Sequence, residues 1–257
     1  MISFITAFKK FKGQYDMIQH SALYSWNVND IKIVAPLNEV GLKEKCAGYP
    51  NLTMIEGVRR ARELGFSNQC PIVKDLIEQS LLHFNTTMVA LINSDIIITD
   101  NFLENVKKMV HKYGYDIYAV GSRYDIQLDY YVNDDETYKK VQQEDRKAYD
   151  TMTSSDIFIT SKFTWRKIIH DMPDFILGRY GWDNWLHMYA EINNLKKLNC
   201  SDAIPILHCK HDHMHIFNQE KAKKEAAASS QHNIGLWNKV KDIYGTTKVG
   251  NWPKVEI

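Results

Sequence analysis

Met88-Val89-Ala90-Leu91-Ile92 is five apolar residues without a break, and it stops abruptly at Asn93-Ser94-Asp95. A strand alternates its side chains between two faces, so one that is apolar throughout must be covered on both, as a central strand between layers of helices is. The rest of the first half fits that frame. Short β-like runs at Ile2–Phe8, Ile31–Ala35 (ended by Pro36) and Leu52–Ile55 alternate with segments of helical period. Tyr15–Trp26 carries Met17, Ile18, Ala22 and Leu23 on one stripe, Val58–Leu64 is helix-prone, and Ile72, Leu76, Ile77 and Leu81 follow Pro71 at helical spacing. This alternation predicts an α/β fold with a mixed, mainly parallel central sheet flanked by helices.

Beyond the central strand, Ile96–Thr99 reads as another strand, with Asp100 placed to cap a helix whose stripe is Phe102, Leu103, Val106, Met109 and Val110. Tyr115–Val120 and Ile157–Thr160 are predicted strands, and Tyr124–Tyr149 between them has weak periodicity, as expected of a mobile or acceptor-facing insertion. A helix over Asp183–Leu195, a strand near Ile204–Leu207 and a final helix over Glu220–Tyr244 complete the reading. With 257 residues and no repeat or linker, a single domain is the simplest division.

Composition removes several classes of function. Lys plus Arg number 32 against 31 for Asp plus Glu, a net charge of +1, so there is no general electrostatic footprint for a nucleic acid. No apolar run reaches the roughly 18 residues of a membrane span, and the N-terminus lacks the pattern of a signal peptide. The four cysteines form no C-x-x-C pair, so they read as reduced thiols and the expected location is cytoplasmic.

Three constellations could carry chemistry. In open α/β sheets ligands bind beyond the carboxyl ends of strands, which singles out Asn93, Ser94 and Asp95. A carboxylate there suits a hard divalent cation, although a plain turn is an equal reading of the three residues alone. The second is His208-Cys209-Lys210-His211-Asp212-His213-Met214-His215, holding four of the ten histidines. His208 and His211 could reach one ion if the chain turns after the strand, and manganese suits a site of imidazole and carboxylate; His213 and His215 read equally as ordinary surface histidines. The third is Gly178–Leu186, where Trp182 and Trp185 offer flat faces for sugar rings and Asp183 falls at a helix start, as N-cap, site residue or both. Thr6, Phe8, Glu39, Arg60 and Lys74 form a weaker group near strand ends and early helical turns.

Taken in order, Thr6-Ala7-Phe8, Ala35-Pro36, Pro71-Ile72-Val73-Lys74-Asp75, Asn93 to Leu103, Gly181 to Leu186, and His208-x-x-His211-Asp212-x-x-His215 resemble nucleotide-diphosphosugar transferases of the GT-A glycosyltransferase fold. The likeness runs from the first strand to about His215. It implies a Rossmann-like nucleotide-binding half over about residues 1–100, an acceptor half over about 101–217, and a C-terminal helix and tail over 218–257. The family's D-x-D motif falls on Asn93-Ser94-Asp95, with Asn in place of the first Asp. The implied metal ligands are Asp95, His208 and His211, holding Mn2+ or Mg2+. Thr6, Phe8, Glu39, Arg60, Lys74, Asn93 and Ser94 would then line the nucleotide site, Asp156, Trp182 and Asp183 the acceptor side. The implied activity is transfer from a nucleotide sugar, UDP-linked, to a hydroxyl of a carbohydrate acceptor.

Breaking the bond between an anomeric carbon and phosphate leaves negative charge on the diphosphate, which a cation at Asp95 would offset. Asp183 could take the acceptor's proton, giving inversion by single displacement. Two competitors remain. A sugar-1-phosphate nucleotidyltransferase would carry a Gly-rich loop after the first strand, and none is present. A carbohydrate-binding protein that has lost turnover is suggested by the Asn at position 93.

Overall fold

The computed structural model describes residues 2–37, 41–148, 155–211 and 220–257. The chain begins β1 (Ile2–Ile5), α1 (Gln14–Val28), β2 (Lys32–Pro36), a short α2 (Leu42–Lys45), β3 (Leu52–Ile55), a 3-10 turn (Ala61–Leu64), α3 (Val73–Leu81) and β4 (Met88–Ile92). It continues β5 (Ile96–Ile98), α4 (Phe102–Tyr113), β6 (Ile117–Gly121), β7 (Tyr124–Ile126), α5 (Asp135–Val141), β8 (Lys147–Ala148), β9 (Ile157–Ser161) and α6 (Lys162–Asp171). The last elements are α7 (Trp182–Ile192), β10 (Lys196–Asn199), β11 (Ile206–Cys209) and α8 (Glu220–Tyr244). Among the described residues no helix is long and apolar enough to cross a membrane.

The main sheet has the order β10-β6-β9-β4-β1-β2-β3. β4 sits at its centre, and its residues divide between two cores as the unbroken apolar run requires. Met88, Ala90 and Ile92 pack with Phe4, Trp26 and Phe102 on one face; Val89 and Leu91 pack with Tyr118, Phe158 and Trp165 on the other. Six strands run in one direction, and β9 alone is antiparallel, to β4 on one side and β6 on the other. Reversal gives β9 a particular use: its amino end lies at the same sheet edge as the carboxyl ends of its neighbours. A smaller sheet, β5-β11-β7-β8, stands beside that edge.

Several sequence expectations change in detail. β1 ends at Ile5, leaving Thr6 to Phe8 as a loop entering the edge. Val58–Leu64 forms only the one 3-10 turn. Asn101, not Asp100, occupies the N-cap of α4, and its side-chain oxygen accepts from Thr99 Oγ1 rather than from the helix. Asp183 lies inside the first turn of α7, whose N-cap is Gly181. Glycine is required there: φ is 104°, and a Cβ would sit 3.0 Å from the Cβ of Trp237. Tyr124–Tyr149 is structured over its described part, holding β7, α5 and β8.

Candidate active site

Four chain segments meet at the carboxyl edge of the main sheet: the loop after β1, the turn after β4, the residues after β6, and the lead into β9. α1 clamps two of them together. Gln19, fully buried, accepts from the Lys9 backbone N–H (2.7 Å) and from Ser94 Oγ (3.0 Å), and its amide donates to the Lys9 carbonyl (2.9 Å). Trp26 Nε1 donates to the Ile96 carbonyl at 2.9 Å, fixing the residue that follows Asp95.

Asp95 is 7% exposed, His208 4% and His211 9%. Asp95 Oδ2 lies 3.3 Å from His211 Nε2, 3.9 Å from His208 Nε2 and 3.4 Å from Lys9 Nζ. Strand register brings this about: His208 on β11 is paired with Ile96 on β5 and with Asp125 on β7. Burial is the largest influence on the Asp95 carboxyl and would raise its pKa; the His211 hydrogen bond, the charge of Lys9 and, in the acid range where this carboxyl titrates, the charges of the histidines outweigh it, so the group is held well below the usual carboxylate range. Burial also drives the His208 pKa down to about 4. At neutral pH the carboxylate is therefore ionised and the His208 imidazole neutral, which are the ligating forms.

These residues fit a divalent cation on three counts. One ligand atom from each of Asp95, His208 and His211 lies within 4.8 Å of the others. Asp95 Oδ1 is buried without a partner, and an unmet carboxylate oxygen at such a depth is costly unless something occupies it. The donor set, two imidazoles and a carboxylate, suits manganese better than magnesium, which prefers oxygen.

The cluster closes the floor of a cleft of about 600 Å³. Phe8, Asn93, Ser94, Asp95, Trp182, His208 and His211 line it, as do the cations Lys9, Lys10, Arg123 and Arg179. The other sequence-derived candidates lie elsewhere. Thr6 is fully buried with its Oγ1 unpartnered, beneath the cleft rather than in its wall. Arg60 donates to the Leu37 carbonyl (2.6 Å) and to Gln69 Oε1 (3.1 Å), so it acts on the wall through Gln69, which borders the cleft. Lys74 is 2.6 Å from Asp174 in an ion network with Arg59 and does not border the cleft. Asp156 is buried behind it, 2.8 Å from Arg123 and 3.0 Å from the Asn93 amide. Asp183 accepts from the Asn184 backbone N–H at 2.9 Å, and burial raises its pKa; its neighbour Trp182 borders the cleft, whereas Asp183 does not. Glu39, His213 and His215 lie outside the described residues.

Lys9, Tyr15, Gln19, Arg123 and Asp125 belong to the site without being among the sequence-derived candidates. A signal existed for two of them, because Arg123 and Asp125 follow the β6 strand just as Asp95 follows β4. For Gln19 none did, since a polar residue on a helix is usually solvated.

Behind the cleft wall, His187 stacks on Phe158 with 5.6 Å between ring centroids, and its Nε2 lies 2.8 Å from Ser155 Oγ. Burial lowers its pKa to about 3, so the folded protein refuses a proton that the unfolded chain accepts below about pH 6.5. The stabilising contribution is complete above that value and is lost as the pH falls towards 3. His187→Gln should therefore flatten the acid limb of stability between pH 6.5 and 4, by at most about 1.4 kcal/mol per pH unit, read from urea unfolding at a series of pH values. Parallel wild-type and variant curves across that range would contradict this.

No family model and no curated protein matches the sequence. Solved structures do match in three dimensions. TarS residues 1–349 of S. aureus, in complex with UDP-GlcNAc, has a TM-score of 0.53 at 11% identity, covering 93% of this chain and 71% of that one. GalNAc-T7 with UDP, GalNAc and Mn2+ has a TM-score of 0.57 at 10% identity, covering 95% and 50%. A further S. aureus TarS structure gives 0.53 at 13% identity, covering 90% and 43%. This chain thus spans half or less of the latter two. Identities this low establish the fold alone: the chain has the GT-A fold of nucleotide-sugar glycosyltransferases, with a mixed, mostly parallel central sheet flanked by helices.

Proposed function

We propose that this protein is a divalent-metal-dependent glycosyltransferase that moves a hexosyl or pentosyl group from a nucleotide sugar, UDP-linked, to a hydroxyl of a carbohydrate acceptor. The observation that carries this reading is the buried Asp95–His208–His211 cluster at the floor of a cation-lined cleft on the carboxyl edge of a GT-A sheet. Mn2+, or less favourably Mg2+, held by those three residues would offset the charge that grows on the leaving diphosphate. Lys9, Lys10 and Arg179 supply fixed positive charge along the cleft for the same diphosphate. The amino-terminal half, with Thr6 and Phe8 in the loop after β1 and Arg60 acting through Gln69, serves the nucleotide.

Trp182, which borders the cleft, is assigned to pack against the sugar. Asp183, beside it in the first turn of α7, is assigned as the base that takes the acceptor proton. Its burial strengthens it as a proton acceptor. Direct attack by the deprotonated hydroxyl inverts the anomeric centre. Asp156 belongs to the acceptor half, acting through Asn93 and Arg123. A cytoplasmic location goes with this reading and is supported by Cys46, Cys200 and Cys209, buried as thiols.

Thermal melting of the purified protein with UDP-, GDP- and TDP-sugars, with and without Mn2+, tests the proposal. A true donor at 100 times its dissociation constant adds about 2.7 kcal/mol, or about 5 to 10 °C for a chain of this size, and only when Mn2+ is present. Were no nucleotide sugar to raise the melting temperature with Mn2+, the reading would fail.

A further inference from the structure

Both histidines of the cluster present the same ring atom to Asp95, and each has its other nitrogen occupied. His211 Nδ1 lies 3.2 Å from the Tyr15 hydroxyl, and His208 Nδ1 lies 2.9 Å from Asp125 Oδ1. The second contact is the more decisive, because a carboxylate oxygen can only accept. With the proton on Nδ1, His208 donates to Asp125 and turns a bare Nε2 lone pair towards Asp95. With the proton on Nε2, a ring lone pair would face a carboxylate oxygen at 2.9 Å, which is repulsive.

Asp125 is itself held. Arg123 Nε donates to the same Oδ1 at 3.1 Å, and its Nη1 donates to Asp156 Oδ1 at 2.8 Å. Asp156 in turn accepts from the Asn93 amide. A continuous polar chain therefore runs from His208 through Asp125, Arg123 and Asp156 to Asn93, joining β11, β7 and the lead into β9 to the end of β4. One guanidinium offsets two carboxylates that would otherwise repel each other and Asp95.

We infer that Asp125 is a positioning residue for His208: it selects the Nδ1–H tautomer, so that Nε2 is available as a metal ligand, and Arg123 keeps Asp125 in that place. This rests on reading Asp95, His208 and His211 as the metal site. Partners of this kind behind a ligating histidine are worth about 10- to 100-fold in metal affinity.

Two measurements on the full-length chain separate the inference from its premise. In metal-free protein, long-range proton–nitrogen correlation spectra report which His208 nitrogen carries the proton. Titration with Mn2+, followed by the loss of the free-ion resonance, reports affinity. The wild type should show the Nδ1–H form and bind one Mn2+. Asp125→Ala should move the proton towards Nε2, where Asp95 is the remaining acceptor, and weaken Mn2+ binding about 10- to 100-fold. Asp125→Asn keeps the shape should the alanine variant not fold, and it should change both readouts in the same direction by less. A purely structural Asp125 would lower the melting temperature and leave tautomer and affinity unchanged; that result would overturn the inference while sparing the metal site. A wild type that binds no Mn2+ would remove the metal site and the inference together.

Discussion

Asp95→Ala is expected to lower donor turnover at least about a thousandfold while leaving the protein folded. Among the described residues Asp95 is the one carboxylate of the cluster, and its Oδ1 is buried without a partner. Without it the two imidazoles remain but the site loses its charge, and metal-ion stabilisation of a leaving diphosphate is worth several kcal/mol, each 1.4 of which is about tenfold in rate. The rate of sugar release or transfer from the donor found by melting, measured across Mn2+ concentrations, checks this. Asp95→Asn should behave almost as badly, since it keeps the volume and loses the charge. Activity of either variant within about tenfold of wild type would remove Asp95 from the chemistry.

Trp26→Ala should cost about 3–5 kcal/mol of folding stability, the range for deleting a large buried aromatic. Trp26 is fully buried, its ring meets Phe4 edge-on at 5.5 Å and lies 6.5 Å from Phe8, and its indole N–H is the partner of the Ile96 carbonyl. The substitution opens a cavity between α1 and the sheet and leaves that carbonyl unmet. Ile96 follows Asp95, so Mn2+ affinity should fall in the same variant. Trp26→Phe, which restores most of the volume but not the hydrogen bond, should lose less stability. Chemical unfolding of the three proteins gives the comparison; a loss below about 1 kcal/mol for Trp26→Ala would mean that the surrounding core collapses to fill the space.

The elements that sequence reading recovered are those with a strong internal period. The central strand is an unbroken apolar run that only a strand covered on both faces can bury, and α3 and α4 carry apolar residues at a spacing that a helix gathers on one side. Two elements were not expected: α6 does carry Thr164, Trp165 and Ile168 at helical spacing, but among exposed Phe163, Arg166 and Lys167, and β10 begins Lys196-Lys197 at a sheet edge and does not look apolar along the chain. The candidate site divides the same way. Asp95, His208 and His211 stood out because each follows an apolar strand. Arg60 and Lys74 rest on a weaker positional cue, nearness to strand ends and early helical turns: Arg60 donates to the Leu37 carbonyl and to Gln69, and Lys74 is paired with Asp174.

Local pattern was enough to predict that this chain builds a buried, mainly parallel sheet with an acidic group at the end of its central strand and imidazoles on and just after a later apolar strand, because burial of alternate side chains is a property of each segment alone. Which of those groups share a space was decided by pairing between distant segments. The reversal of β9 brings Asp156 to the edge, and the register of β11 against β5 and β7 sets His208 beside both Asp95 and Asp125. No segment encodes its own register; it follows from the packing of all of them at once.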